Sequence, residues 1–333
     1  MSRPLTVAVA LKLTRPFTLL PPLFGILSGA ICAFGSAHNP DPARAVTASV
    51  VLVVALGSLC ASLLNAASNV LNQITDLELD RINKPDRPLC TGEASPGSAW
   101  ALTGVLYGLA FLPTWWIVVP PVDGWLARAL APLGTHECFL LFGGGFLATL
   151  VYSLPELGRT KRFGMWANVT IAIPRGCLLK VAGWTMVASS RTLEPWVIGS
   201  IFGLFLLGAA TTKDFSDVEG DRAGGCRTLP ILHGNRKAVR IISPFFVLPW
   251  LCLVVLAFVP DPFAPVPGAR LLTGNSTLLV LLGTVLAAWG AYTVRLLSRN
   301  PEELSTTENH PSWTHMYLMM MAAQVGFAVA YVF

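Results

Sequence analysis

The stretch Ala66-Ala-Ser-Asn69-Val-Leu-Asn72-Gln-Ile-Thr-Asp76-Leu-Glu-Leu-Asp80-Arg81 closes an apolar run that begins near residue 46. The run at 46–71 carries no charge and is long enough to cross a bilayer as an α-helix, which takes about 20 residues. Carboxylates at the end of such a helix are expensive at membrane depth and mark function by default. On a helix Asn72, Asp76 and Asp80 recur every fourth residue and share one face. Two carboxylates one turn apart repel unless a cation sits between them. Mg²⁺ suits that pair, because it takes one or two carboxylates and fills its shell with waters and phosphate oxygens. Asn72 can add a neutral oxygen or orient a phosphate.

The rest of the chain extends the membrane reading. Of 333 residues, 53% are hydrophobic and 12% charged, against about 25% charged in soluble domains. Nine apolar spans are read near 17–35, 46–71, 98–119, 138–153, 166–190, 195–212, 241–260, 271–294 and 315–333. Spans of this length and number favour helices over a barrel, whose strands are about 10 residues of alternating polarity. The predicted fold is an all-α integral membrane protein, a single domain over 1–333 with nine transmembrane helices. With the N-terminus inside, 17 Lys and Arg from Arg3 onward fall in inside segments, and four (Arg44, Arg128, Arg191, Arg270) fall outside. The positive-inside rule therefore places the N-terminus and the acidic loops in the cytoplasm. The net charge of +5 reflects this loop bias and gives no case for nucleic-acid binding. Seven scattered cysteines without C-x-x-C spacing indicate neither a disulfide framework nor a zinc site.

The signature Asp76-Leu-Glu-Leu-Asp-Arg81 returns 141 residues later as Asp217-Val-Glu-Gly-Asp-Arg222. Each copy follows an apolar span and precedes a basic loop, with Arg87-Pro88 after the first and Arg227-Thr-Leu-Pro230 after the second. This predicts two similar halves, about 1–165 and 166–333, around a central apolar channel with one shared site. In the second copy Asp214, Asp217 and Asp221 share a helical face, and Gly220 and Gly224-Gly225 would let backbone N–H groups turn toward an anion. Glu78 and Glu219 point elsewhere on the helix. Two acidic sets on one membrane face suit two divalent cations holding a diphosphate.

Cations complete the pattern. Tyr152-Ser-Leu-Pro-Glu-Leu-Gly-Arg159-Thr-Lys161-Arg162 lies between the acidic sets and can clamp a diphosphate through Lys161 and Arg162, with the Tyr152 hydroxyl as a further donor. Arg15, at the foot of the first span, is a similar site. Arg175 and Lys180 fall inside the fifth span, where each needs a partner: either they snorkel to an interface or they face an anionic acceptor.

These residues resemble the UbiA superfamily of intramembrane prenyltransferases. The resemblance rests on Asn72-x-x-x-Asp76-x-x-x-Asp80 with Arg87-Pro88, the Tyr152-to-Arg162 loop, Asp217-x-x-x-Asp221 and the nine spans, and it covers essentially the whole chain. It implies Mg²⁺-dependent transfer of a prenyl group from a prenyl diphosphate, through an allylic carbocation, to an acceptor bound in the membrane. By the resemblance Asp76 and Asp80 hold one Mg²⁺, and Asp217 and Asp221, assisted by Asp214, hold another. Asn72, Arg15, Arg87, Tyr152 and Lys161 contact the diphosphate, while Asn69 and Asn168 lie near the reacting carbon or the acceptor. The acceptor is expected to be hydrophobic or amphipathic and anionic. Arg175-Gly176 leans toward an aromatic quinone or tocopherol precursor. Geranylgeranylglyceryl phosphate and a chlorophyll-type acceptor are alternatives. A terpene cyclase of the same fold and an ion-coupled transporter are the rival functions; a transporter would place its carboxylates at mid-membrane around broken helices.

Overall fold

The computed structural model describes residues 5–264, 268–307 and 310–333, so Arg3 lies outside the described residues. Helix is the regular structure throughout; among the described residues the only β pairing is one bridge between Pro260 and Arg270. The principal helices are α1 (Val7–Thr14), α2 (Leu20–Gly35), α3 (Ala48–Thr75), α4 (Leu77–Asn83), α5 (Pro96–Phe111), α6 (Glu137–Ser153), α7 (Met165–Ala172), α8 (Leu179–Trp184), α9 (Leu193–Ala209), α10 (Val218–Ala223), α11 (Asn235–Ile242), α12 (Leu248–Leu256), α13 (Ser276–Arg299) and α14 (Pro311–Val332).

Six helical segments among the described residues are long and apolar enough to cross a membrane: Pro16–Gly35, Ala48–Thr75, Leu193–Asp214, Asn235–Leu256, Ser276–Arg299 and Pro311–Val332. Apolar side chains such as Leu52, Val105, Val255 and Leu281 are more than half exposed on these and neighbouring helices, a surface that only lipid satisfies. The protein is therefore an integral, multi-pass membrane protein. The other three spans expected from the sequence take shorter or interrupted forms. The span at 98–119 is α5 followed by a 3-10 turn at Leu112–Trp116, and that at 138–153 is α6, of 17 residues. The span at 166–190 divides into α7, a π-helical turn at Ile173–Leu178 and α8. Proline explains both interruptions: Pro113 and Pro174 bring no N–H to the α-helical ladder, so it shifts to another register.

The helices close into a ring. α3 packs on α5, α2 and α6; α2 on α8 and α14; α14 on α13, α13 on α12, α12 on α9, and α9 on the segment 165–178. α2 and α8 cross at bare backbone: a Cβ on Gly29 would come within 2.5 Å of the Lys180 carbonyl, and one on Gly183 within 2.4 Å of the Ile26 carbonyl.

The first crossing opens with a break that shapes the interior. Arg15 sits in the left-handed region at φ 55°, between α1 and a 3-10 turn at Pro16–Leu19. Strain at a non-glycine residue persists only where neighbours over-determine it. Three amides one turn apart on α3 do so. Asn65 Nδ2 donates to the Thr18 carbonyl (2.9 Å), Asn69 Nδ2 to the Thr14 carbonyl and the Thr18 hydroxyl (both 2.8 Å), and Gln73 Nε2 to the Leu13 carbonyl (2.7 Å).

Candidate active site

Inside the ring lies a cavity of about 310 Å³. Its walls bring together most of the residues singled out by sequence: Asp76, Asp80, Asp214, Asp217 and Asp221, with Arg15, Asn69, Asn72, Arg87, Tyr152, Lys161, Asn168 and Arg175. Arg162 and Lys180 stand outside it. Arg162 follows Lys161 in a 3-10 turn, where successive side chains point about 120° apart, so only Lys161 turns inward. The Arg162 carbonyl accepts a bond from the Arg227 N–H (2.9 Å), and the Arg162 Nε is buried without a hydrogen-bond partner among the described residues. Lys180 lies five residues after Arg175, about 140° around a regular helix, and points between α2 and α14.

The two acidic copies are built alike. α3 stops at Thr75, Asp76 takes φ −106° and ψ 10°, and α4 starts; the Leu193–Asp214 segment stops at Asp214, Asp217 takes φ −102° and ψ 7°, and α10 starts. The Asp80 N–H still bonds the Asp76 carbonyl (2.8 Å) and the Asp221 N–H the Asp217 carbonyl (3.0 Å), so each pair keeps one face across the break. The second copy departs from the expected helix at 214: Asp214 comes off a 3-10 turn, with its N–H on the Thr211 carbonyl at 2.9 Å. Asn168 braces that turn, donating from Nδ2 to the Leu207 carbonyl (2.8 Å) and the Thr211 hydroxyl (2.6 Å). Asn69 and Asn168 thus have their amide nitrogens committed to holding backbone while they line the cavity.

Gly220 does not offer its N–H to an anion. That N–H donates to Asn83 Oδ1 (2.9 Å), and Asn83 Nδ2 donates to the Asp217 carbonyl (3.1 Å), which ties α4 to α10. A Cβ at Gly220 would meet the Asn83 amide at 2.4 Å. Nothing in sequence spacing singles out Asn83 or Lys84, because their role exists only when the two copies meet. Asn83→Ala should lower the rate of the chemical step about 10- to 100-fold while costing only about 1–2 kcal/mol of stability; single-turnover rates and thermal unfolding in detergent check this, and an unchanged rate would show that the tie does not position the aspartates.

Charge pairing is dense. Asp76 meets Arg159 (2.8 Å) and Lys161, Asp80 meets Arg87, and Asp217 meets Lys84 (2.8 Å). Burial raises the Asp80 carboxyl against the lowering effect of Arg87. Burial, and then the charge of Asp217, pushes Asp221 up to about 6. Burial, and then the charge of Arg87, lowers Arg15. Arg15 and Arg175 have no carboxylate within ion-pair distance among the described residues, so they are the cavity cations that an anionic ligand can claim.

The donor set fits Mg²⁺ better than a closed metal cage. Among the described residues no three His, Cys, Asp or Glu side chains converge as one ion's ligands. Mg²⁺ needs only a carboxylate or two from the protein when phosphate and water complete its octahedron. Asn72 Oδ1 is a buried acceptor with no hydrogen-bond partner among the described residues, set one turn before Asp76, and a cation or its water would satisfy it.

Comparison with known proteins agrees with this geometry. The profile described as the UbiA prenyltransferase family matches residues 19–321. Digeranylgeranylglyceryl phosphate synthase of Methanoculleus marisnigri is 29% identical over 233 residues, 70% of this chain and 71% of that protein. The chloroplastic chlorophyll synthase of Oryza sativa is 30% identical over 236 residues, 69% of this chain and 56% of that protein. A UbiA homolog from Archaeoglobus fulgidus, solved bound to GPP and Mg²⁺, superposes with a TM-score of 0.65 at 19% identity, over 98% of this chain and all of that one. The chain belongs to the UbiA prenyltransferase family.

Proposed function

We propose that this enzyme transfers a prenyl group from a prenyl diphosphate to an amphipathic, anionic acceptor, with Mg²⁺ as cofactor. The observation that carries the reading is the convergence of both acidic sets and two acid-free arginines, Arg15 and Arg175, on one cavity whose lining also includes the apolar Leu64, Leu141, Phe142 and Leu178. Asp76 and Asp80, with the neutral oxygen of Asn72, would hold one ion, and Asp217 and Asp221 the other, with Asp214 assisting from the same cavity wall. When bound, the ions neutralise the diphosphate and the charge that grows on it as it leaves. Arg15, Arg87 and Lys161 add fixed positive charge around the same group, and Tyr152 lines the wall beside them. As the C1–O bond of the donor ionises, walls such as Leu64, Leu141, Phe142, Leu178 and Leu206 keep water from the allylic cation until the acceptor captures it.

An aromatic acceptor of the quinone-precursor type is the first reading, on the Arg175-Gly176 pair. Acceptors of the kinds named for the archaeal and chloroplast relatives, a glyceryl phosphate ether and a chlorophyll precursor, are the second. The acid-free Arg175 favours an external acceptor over a cyclase. The Lys and Arg partners of the aspartates at helix ends favour phosphate chemistry over ion transport. The test is mass-spectrometric product analysis of purified protein with Mg²⁺, geranylgeranyl diphosphate and a panel of homogentisate, 4-hydroxybenzoate, dihydroxynaphthoate and geranylgeranylglyceryl phosphate. One adduct, lost with EDTA, supports the reading; a hydrocarbon or alcohol formed from the donor alone moves it to a cyclase. Arg175→Ala should raise the acceptor KM about 10-fold or more and the diphosphate KM little; the reverse split in steady-state kinetics would reassign Arg175 to the donor.

We also read α5, α6 and the Met165–Trp184 segment as the remaining three of nine crossings of a single domain. The matched backbone at Asp76 and Asp217 supports two related halves. The loop bias of Lys and Arg supports a cytoplasmic N-terminus and active-site face.

A further inference from the structure

Lys180 is 1% exposed, and no carboxylate among the described residues pairs with it. Its Nζ donates to Ser28 Oγ (2.8 Å) and to Gln324 Oε1, and it lies 4.6 Å from the centre of the Phe202 ring. Ser28 in turn gives its hydroxyl proton to the Gln324 carbonyl. A buried ammonium held only by neutral groups is a poorer choice for packing than an apolar side chain of the same volume. Its chemistry, however, imposes an orientation. A lysine ammonium has donors and no acceptor, so the side-chain oxygen of Gln324 must face it and the NH₂ must face away.

Gln324 is 3% exposed and lines the cavity, and its Nε2 makes no hydrogen bond to any described residue. Nε2 approaches the bare face of Gly25, where a Cβ would lie 3.7 Å from it and closer still to the cavity residue Leu179. Tyr317, which lies near Arg15, precedes Gln324 by seven residues on α14, so the amide sits about 10 Å further along that helix than the phosphate-binding end. A fixed N–H donor without a protein partner is satisfied by an acceptor atom of whatever fills the cavity. All oxygens of a prenyl diphosphate are in its head group; beyond C1 it is hydrocarbon. Of the two substrates, only the acceptor can bring an oxygen to this depth.

We propose that Gln324 is a specificity-determining residue whose Nε2 donates to an oxygen of the acceptor substrate, and that Lys180 is the positioning residue that fixes the amide. This rests on the prenyl-transfer reading. The test uses the full-length protein in detergent with geranylgeranyl diphosphate and whichever panel acceptor the wild type prenylates. Gln324→Leu should raise the acceptor KM about 10-fold or more and leave the diphosphate KM within about 2-fold. Lys180→Met, which frees the amide to turn over, should move the acceptor KM the same way by a smaller factor, with Gln324→Met standing in if the leucine variant does not fold. A change confined to the diphosphate KM or to prenyl chain-length preference would overturn the proposal, because the amide would then meet the donor tail. Unchanged kinetics in all variants would also overturn it. A wild type that prenylates neither a panel acceptor nor a chlorophyll precursor refutes the function reading itself, and the inference falls with it; failure of the inference alone is seen only in the variants.

Discussion

Asp217→Asn is expected to slow single-turnover prenyl transfer by about 10³-fold or more, equivalent to about 4 kcal/mol of lost transition-state stabilisation. The size follows from the chemistry: the leaving diphosphate develops charge as C1–O breaks, and fixed charge preorganised around it stabilises the transition state more than anything else such a site can supply. Asp76→Asn should behave alike. The amide matters for the comparison. Asp76 is buried against Arg159 and Lys161, and Asp76→Ala would leave both cations without their acid, which costs about 3–5 kcal/mol and confuses folding with chemistry. Asn keeps the volume and one acceptor oxygen. Rapid-quench measurement of the transferred prenyl group, with thermal unfolding of the same samples, separates the two effects. Near-normal turnover in either variant would refute the two-cation site.

Removal of Mg²⁺ should abolish turnover and its return should restore it, with a pH dependence that names a ligand. The Asp221 carboxyl is raised to about 6, by burial first and the charge of Asp217 second. A proton bound there must leave before a metal ion can bind. The apparent Mg²⁺ activation constant should therefore be flat above pH 7 and rise about 10-fold for each pH unit below about 6. The same shift acts on the metal-free fold with the opposite sign to a salt-bridged carboxylate. Because the folded value lies above the usual 3.8, Asp221 contributes stability that is complete below pH 3.8 and lost as pH rises through about 6. Mg²⁺ titrations at pH 5.5, 6.5 and 7.5 test the first statement, and metal-free thermal unfolding over the same range tests the second. An activation constant independent of pH would remove Asp221 from the ligand set.

Local spacing was enough to find the acidic copies because i, i+4 geometry survives the breaks at Asp76 and Asp217. Each broken end keeps its backbone bond from the later aspartate to the earlier one. It did not place Arg162 or Lys180. Arg162 lies in the 3-10 turn at 160–162, which sends it about 120° away from Lys161, and Lys180 lies five residues after Arg175, about 140° around a regular helix. It also failed for Asn65 and Gln73. They look like ordinary polar residues on the face of a membrane helix, and the strained backbone they brace belongs to another crossing.

Composition, span length and the repeated Asp-x-x-x-Asp signature determined by themselves that this is a helical membrane protein with two acidic sets, because solvent preference and helical period are local properties of the chain. Pairing is not local. Which cations neutralise which aspartates, that Asn83 ties one acidic helix to the other, that Arg175 enters the cavity, and that Lys180 turns away to orient Gln324 were decided only when helices distant in sequence packed together. A buried donor or charge takes its role from the partner that burial leaves within reach.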